Sequence, residues 1–175
     1  AHGFLIGNKY LPLGRCKKVQ HLEISNLLKP EAVKLVTTVS SKKMLLHAVA
    51  DLAAHAHGID QTSTLRALQD RESLGPTGVG HGVALPHARV GILNEVKAVF
   101  IRLEKPIDFN AVDRQPVDLF FGLFAPLNAG VEHLKALALV SRTMRERLIC
   151  AKLRANDDVE TLHTIITATE HQQAA

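Results

Sequence analysis

Two helices are predicted from the spacing of apolar residues in the first half of the chain. The first begins near Ser40-Ser41 and stops at Gly58, a residue that ends helices readily. Its apolar face is Leu45, Val49, Leu52, Ala53 and Ala56. The second helix is predicted to begin at Thr62-Ser63, where a hydroxyl would cap free backbone amides, and to end before Gly75-Pro76.

Three strands are predicted in the middle of the chain. Val83–Leu85 is short, because Pro86 cannot donate to a sheet ladder. Val96–Leu103 is a second strand, and Val117–Phe124 is a nearly continuous apolar run that is typical of a central strand covered on both faces. We expect Pro106 and Pro116 to break the chain between these two strands.

Helical spacing returns after the last strand. One helix is predicted from Val131, with an apolar side formed by Leu134, Leu137, Ala138, Ser141, Met144 and Leu148. A final helix opens at Asp157-Asp158, a capping signal, and buries Val159, Leu162, Ile165 and Ile166. This order of elements favours a single-domain α/β sandwich with a mixed sheet of about five strands, flanked by helices on both faces.

Composition and charge exclude several classes of protein. The 175 residues are 46% hydrophobic and 22% charged, as in an ordinary single globular domain. The formal charge of +4 comes from scattered residues, with one tight cluster at Arg15, Lys17 and Lys18, so we expect no nucleic-acid partner. No apolar run approaches membrane-spanning length, and Cys16 and Cys150 form no metal or disulfide motif. We expect a cytoplasmic protein without membrane insertion.

The candidate chemistry lies where a glycine-rich segment leads to a histidine. Gly75–Gly82 has an irregular backbone whose N–H groups could approach phosphoryl oxygens. His87 follows Pro86, and a neutral imidazole is a competent nucleophile at neutral pH. Arg71, just before the loop, could neutralise charge on a transferred group. A structural role for His87 remains open from spacing alone.

Other motifs are weak or absent. The glycines do not match G-x-G-x-x-G and no P-loop is present, so nucleotide binding is disfavoured. No serine lies in a G-x-S-x-G elbow. His55 and His57 would splay onto different helix faces, which argues against metal binding. His133 could assist a nearby histidine or be an ordinary surface residue.

The run from Arg71 to His87, R-E-S-L-G-P-T-G-V-G-H-G-V-A-L-P-H, resembles the signature of type-2 EIIA domains. These domains form the fructose, mannitol and nitrogen-regulatory class of the phosphoenolpyruvate-dependent phosphotransferase system. The resemblance extends through Pro106–Phe109 and Asp113–Leu119 to the helix that contains His133, and covers roughly residues 24–170. Within the class, the sequence most resembles the nitrogen-regulatory branch, and we expect a free-standing EIIA domain without an attached IIB or membrane domain.

The resemblance implies a site and a mode of action. His87 would be phosphorylated through Nε2, with Arg71 beside it and His133 as a second active-site histidine. The phosphate loop would comprise Gly78, Gly80, His81 and Gly82. The donor would be an HPr-like phosphocarrier of the NPr type, and no metal or cofactor would be needed. The protein would be a phosphohistidine carrier rather than an independent enzyme.

The same resemblance implies the output and its alternatives. Regulation of nitrogen, carbon and potassium physiology would act through targets such as a sensor kinase or potassium-transport components. A sugar-specific EIIA that donates to a IIB domain, or a binding module that has lost phosphorylation, are the alternatives. His81, Pro76 and Ala88 depart from the usual family residues, and His81 would add positive charge near the phosphate at acidic pH.

The expected organisation has three parts. Residues 1–22 would be an N-terminal extension or a cloning remnant, residues 23–170 the type-2 EIIA domain, and residues 171–175 a C-terminal tail.

Overall fold

Six strands form one mixed sheet in the computed structural model, which describes residues 21–173 and side chains up to residue 168. The strands are β1 (Val33–Val36), β2 (Gly78–Gly80), β3 (Val83–Ala84), β4 (His87–Arg89), β5 (Lys97–Ile107) and β6 (Val117–Ala125). The helices are α1 (Ile24–Leu27), α2 (Lys42–His57), α3 (Gln61–Leu74), α4 (Val131–Met144), α5 (Arg147–Arg154) and α6 (Val159–Gln173). A short 3-10 turn at Pro30–Ala32 precedes β1.

Strand β6 organises the sheet. It pairs antiparallel with β5 and parallel with both β3 and β4, in the order β1-β5-β6-β3-β2 with β4 also beside β6. Strand β1 is parallel to β5. The predicted mixed α/β architecture is therefore confirmed, as is the central strand from Val117.

Both faces of β6 are buried. On one face, a Cβ added to Gly122 would lie 2.8 Å from Val99 Cγ2 and 3.2 Å from Val49 Cγ1, so glycine lets α2 approach the sheet closely. On the other face, Phe121 packs edge-on against Phe100, with ring centroids 6.0 Å apart. The apolar run of β6 is thus explained by burial on two sides.

Local capping fixes where the first long helices begin and end. The Ser41 hydroxyl accepts a hydrogen bond from Met44 N at 3.2 Å, and Gly58 ends α2 in the left-handed region at φ +67°. The predicted hydroxyl cap of α3 is wrong. The Asp60 carboxylate caps this helix by accepting a bond from Ser63 N at 2.9 Å.

The helix predicted from Val131 is two helices, and its buried face differs from the predicted one. Helix α4 buries His133, Ala136, Val140, Thr143 and Met144. Leu134 and Leu148 are 65% and 66% exposed, although the prediction placed them inside. The buried face of α4 consists of side chains that are smaller or more polar than leucine. A prediction based on large apolar residues therefore selects the wrong face.

Three short strands were not predicted from the sequence. Strand β1 is four residues long, β2 consists mainly of glycine, and β4 begins directly after Pro86. Strand β5 also runs past Pro106 to Ile107, with an irregular register, so the predicted break at this proline is wrong. Proline is tolerated there because Pro106 is exposed and the register shifts between Arg102 and Ile107.

The predicted extension lies mostly outside the described residues. Residues 1–20, with Cys16 and the Arg15 cluster, are not among them. Leu22 packs against the core, which places it in the folded domain. Helix α6 continues to Gln173, within the predicted tail. None of the helices in residues 21–173 is long and apolar enough to cross a membrane.

Candidate active site

His87 presents one ring nitrogen as a free base. It is the first residue of β4 and is half-buried. Its Nδ1 lies 2.9 Å from the carbonyl oxygen of Leu85. Because a carbonyl only accepts hydrogen bonds, Nδ1 carries the proton in the neutral ring. Nε2 therefore has the lone pair.

Arg71 meets that lone pair. The arginine lies in the last turn of α3, and its Nε donates a hydrogen bond to His87 Nε2 at 3.1 Å. A terminal nitrogen of the same guanidinium donates to the carbonyl oxygen of Gly75 at 3.0 Å. The guanidinium thus bridges the reactive nitrogen and the start of the glycine-rich segment, and retains donors for a further oxygen ligand.

A buried carboxylate holds this segment in place. Glu72 is 8% exposed and accepts bonds from the backbone N–H of Thr77 at 3.1 Å and from its hydroxyl at 2.5 Å. Lys42 of α2 forms an ion pair with Glu72 at 2.9 Å. Sequence reasoning missed this group, although an acidic residue beside Arg71 before a glycine-rich segment was its signal.

His133 lies beside His87. Its residue is 6% exposed, and the two ring centroids are 5.7 Å apart at an interplanar angle of 48°. Its Nδ1 is buried and has no hydrogen-bond partner among the described residues. Burial lowers the pKa of His133, and the nearby His87 and Arg89 lower it further. The structure thus brings His87, Arg71 and His133 together.

Arg89 fixes the segment that leads into α4. It lies two residues after His87 on the same strand and donates to the carbonyl oxygens of Leu127 at 3.1 Å and Ala129 at 2.5 Å. These carbonyls directly precede the helix that positions His133. No sequence signal identified Arg89, because its partners lie about forty residues away.

The predicted phosphate loop is a tight hairpin between β2 and β3. A Cβ on Gly78 would lie 2.7 Å from Ala111 Cβ, and one on Gly82, at φ +76°, would overlap the Arg154 guanidinium. Close packing therefore explains these two glycines. Gly80, at φ +102°, adopts a conformation that favours glycine.

His81 is at the tip of this hairpin. Its backbone is left-handed, with φ +56°, a conformation in which Asn and His are enriched. Its N–H donates to Asp113 Oδ2 at 2.9 Å, and its carbonyl accepts a bond from Arg154 at 2.9 Å. The hairpin is thus tied to Asp113 and Arg154. Its role as a phosphate loop remains a prediction.

The electrostatics of His87 suit a nucleophile. Burial lowers its pKa, the Leu85 carbonyl opposes this by favouring the protonated ring, and the Arg71 charge lowers the pKa further. The ring is therefore neutral at neutral pH, with the lone pair on Nε2. A neutral imidazole beside a guanidinium can attack an electrophilic phosphorus while the cation balances the charge on its oxygens.

Comparisons with known proteins give the family. A family model described as phosphoenolpyruvate-dependent sugar phosphotransferase system, EIIA 2, matches residues 26–169. A nitrogen regulatory protein of Bradyrhizobium diazoefficiens is 42% identical over 145 residues, 83% of this chain and 95% of that protein. A fructose-specific EIIA component of the same system from Haloferax volcanii is 30% identical over 145 residues, 82% of this chain and 94% of that one.

A solved structure supports the same family. The crystal structure of the nitrogen regulatory protein IIA-Ntr from Neisseria meningitidis has a TM-score of 0.76 and 32% sequence identity to this chain. The match covers 82% of this chain and 99% of that one. The chain therefore belongs to the EIIA 2 family of the phosphoenolpyruvate-dependent sugar phosphotransferase system, with nitrogen regulatory proteins among its relatives.

Proposed function

We propose that this chain is a phosphocarrier that accepts a phosphoryl group on Nε2 of His87 from an HPr-like phosphocarrier. Family membership supports a phosphocarrier role. The observation that carries the choice of atom is the hydrogen bond from His87 Nδ1 to the Leu85 carbonyl, which leaves the lone pair on Nε2.

The transfer exchanges one P–N bond for another. The bond between phosphorus and the donor's histidine breaks as the bond to His87 Nε2 forms, and the donor nitrogen regains its electron pair. Arg71 Nε–H must first leave the Nε2 lone pair. Its anchor on the Gly75 carbonyl keeps the guanidinium near, where it can bind the transferring phosphoryl oxygens. His133 orients the ring from the side.

Exposed apolar residues beside the site favour a protein donor. Leu74 is one turn beyond Arg71, Leu134 adjoins His133, and Leu127 supplies a carbonyl to Arg89. All three side chains are well exposed. Apolar side chains around a polar centre are typical of protein-binding surfaces.

We also propose the regulatory output and the cellular setting. A phosphoryl group adds up to about two negative charges, enough to change which partner binds. Targets would control nitrogen, carbon and potassium physiology in the cytoplasm, among them a sensor kinase or potassium-transport components. The greater identity to a nitrogen regulatory protein than to a fructose-specific EIIA component favours this output over sugar uptake. Residues 23–170 would act as one domain.

Intact mass spectrometry tests the proposal. Incubation with phosphoenolpyruvate, enzyme I and an HPr-type carrier should add about 80 Da. The gain should vanish in His87→Ala and persist in His57→Ala, a matched control in another half-buried histidine. No gain in the wild-type chain would favour the binding module that has lost phosphorylation, and a gain retained in His87→Ala would refute the site.

A sugar-specific role is the second candidate, because one relative is a fructose-specific EIIA component. Mixing the phosphorylated chain with fructose and mannitol IIB domains separates the two. Rapid transfer to a IIB domain would support the sugar role, whereas a stable phosphorylated chain would support the regulatory one.

A further inference from the structure

A groove of about 780 Å³ lies away from the His87 site, between the β2–β3 hairpin and the junction of α4 with α5. Val79 and His81 line it from the hairpin, and Met144, Arg145 and Arg147 line it from the helices. His133 and Met144 are at opposite ends of α4, about 16 Å apart at the rise of an α-helix. The groove is therefore separate from His87 and His133, although Gly80 and His81 of the predicted phosphate loop form one of its walls.

The segment that forms this corner is strongly basic. Residues 142–154 contain five basic residues and one acidic residue, a net charge of +4 that equals the formal charge of the whole chain. The excess is therefore less scattered than the sequence analysis predicted, because these residues all lie at the end of α4, in its junction with α5, and in α5. A surface patch of one sign raises the local concentration of oppositely charged partners.

Two arginines in the groove are available to a ligand. Arg145 and Arg147 are exposed, and neither forms an ion pair with another described residue. Arg154 is already engaged, because it donates to both carboxylate oxygens of Asp118 at distances of 2.8 to 3.1 Å. It forms a wall of the groove rather than a free cation.

The groove also has an apolar part. Met144 and Cys150 are buried side chains that line it, and Val79 is 46% exposed at its edge. Methionine adapts to varied apolar partners. A ligand that fits must therefore combine negative charge with apolar side chains.

We propose that this groove binds an acidic segment of a partner protein, one in which carboxylates alternate with apolar side chains. The carboxylates pair with Arg145 and Arg147, and an apolar side chain lies against Val79 and Met144. The concave shape and the apolar lining favour a peptide over a flat anionic membrane. The binding does not depend on phosphorylation of His87.

The chain's own N-terminal residues do not have the right charge for this groove. Residues 1–20 contain four basic residues and no acidic one, so they would be repelled by the arginines. A foreign segment, rather than this one, is the fitting occupant.

Fluorescence polarisation with a short labelled peptide that alternates Glu and Leu tests the proposal. The double variant R145E/R147E should weaken binding at least about tenfold. The matched control is R142E/K152E, which makes the same change of charge in the same segment at exposed residues that do not line the groove. The control should change binding less than about threefold.

Further readouts locate the site and guard against misfolding. Amide chemical shifts of Val79, His81 and Met144 should move on peptide addition to the wild-type chain. Both double variants should still gain about 80 Da in the phosphorylation assay if His87 is the acceptor, and circular dichroism should report an unchanged fold in any case.

Three results would overturn the proposal. Equal weakening by both double variants would mean general attraction to a basic surface, and no peptide binding would mean that the groove has no such ligand. Binding to phosphatidylserine vesicles but not to the peptide would assign the corner to a membrane. Any of these three results would leave the proposed phosphorylation of His87 unaffected, because neither Arg145 nor Arg147 contacts that site.

Discussion

Two half-buried histidines share a hydrogen bond to a backbone carbonyl and differ in which ring nitrogen makes it and in what the other nitrogen meets. His87 binds the Leu85 carbonyl through Nδ1, and His57 binds the Ala98 carbonyl through Nε2 at 2.8 Å. Burial is the main cause that lowers the pKa of both rings. The remaining nitrogen of His87 meets Arg71, whereas Nδ1 of His57 is buried without a hydrogen-bond partner among the residues described.

The comparison separates a site from a structural residue. A neutral ring tied to a carbonyl is common to both histidines, so neither burial nor a lowered pKa marks a nucleophile. What distinguishes His87 is that the carbonyl takes the nitrogen next to the backbone, which leaves the outer nitrogen facing a cation. His57 has the reverse arrangement: its outer nitrogen is bound to the carbonyl, and its Nδ1 lone pair is buried without a donor among the described residues.

Removing the Arg71 guanidinium should have the largest effect on the phosphorylation rate of His87. Arg71→Ala should slow phosphorylation of His87 by about 100-fold or more, because the charge on the transferred group loses its counterion. Arg66→Ala, at an exposed arginine on the same helix, is the control and should change the rate little. Rapid-quench kinetics with the phosphorylated donor measure both. A fall of less than about threefold in the phosphorylation rate of Arg71→Ala would show that the contact with Arg71 does not distinguish His87 from His57.

The second prediction concerns the support of His133. Arg89→Ala should slow transfer by about tenfold, because the carbonyls of Leu127 and Ala129 lose their donor and α4 loosens around His133. Arg89→Lys should recover part of the rate. In a double-mutant cycle, Arg89→Ala should add little to His133→Ala if the arginine acts through that histidine. Fully additive losses would contradict this route.

The third prediction uses the pKa values themselves. NMR titration should place the pKa of both His87 and His57 below 6.5, chiefly because both rings are buried. Arg71→Ala should raise the pKa of His87, because a lowering charge is lost, and should leave that of His57 unchanged. A rise at both rings, or at neither, would show that Arg71 does not act locally.

The smallest effect on transfer is expected from His57. His57→Leu leaves the Ala98 carbonyl without its donor and should lower the free energy of unfolding by about 1–3 kcal/mol, with the phosphorylation rate unchanged. The wild-type ring resists protonation in the folded chain, so stability is full above pH 6.5 and falls as the pH drops below it. Urea unfolding at several pH values should show that the free energy of unfolding falls less steeply with decreasing pH in the variant. A slowed transfer would assign His57 a functional role.

Sequence patterns predicted elements whose burial is simple. The β6 run is apolar on both faces, and the α2 face repeats at helical spacing. Their starts were therefore predicted at Val117 and near Ser40-Ser41. The α4 face was missed because its contact with the sheet uses Ala136 and Thr143 while Leu134 faces out. Which face of a helix meets a sheet depends on close packing as well as hydrophobicity.

The residues of the candidate site also fall into a group that the sequence predicted and a group that it missed. The Pro-His pair and the family resemblance pointed to His87, Arg71 and His133, and the structure brings these three together. Lys42 and Arg89 act through partners distant in the sequence, which no local pattern reveals. The basic corner is a different case, because its residues are already dense in the sequence at 142–154 and describing the charge as scattered missed them.

The most direct measurement is nitrogen-15 and phosphorus-31 NMR of the phosphorylated, isotope-labelled chain, which identifies the nitrogen bonded to phosphorus. The structure predicts a single phosphohistidine at residue 87, attached through Nε2, because Nδ1 is bound to the Leu85 carbonyl. Attachment through Nδ1, or a phosphohistidine at His133 or His81 in place of residue 87, would contradict the account.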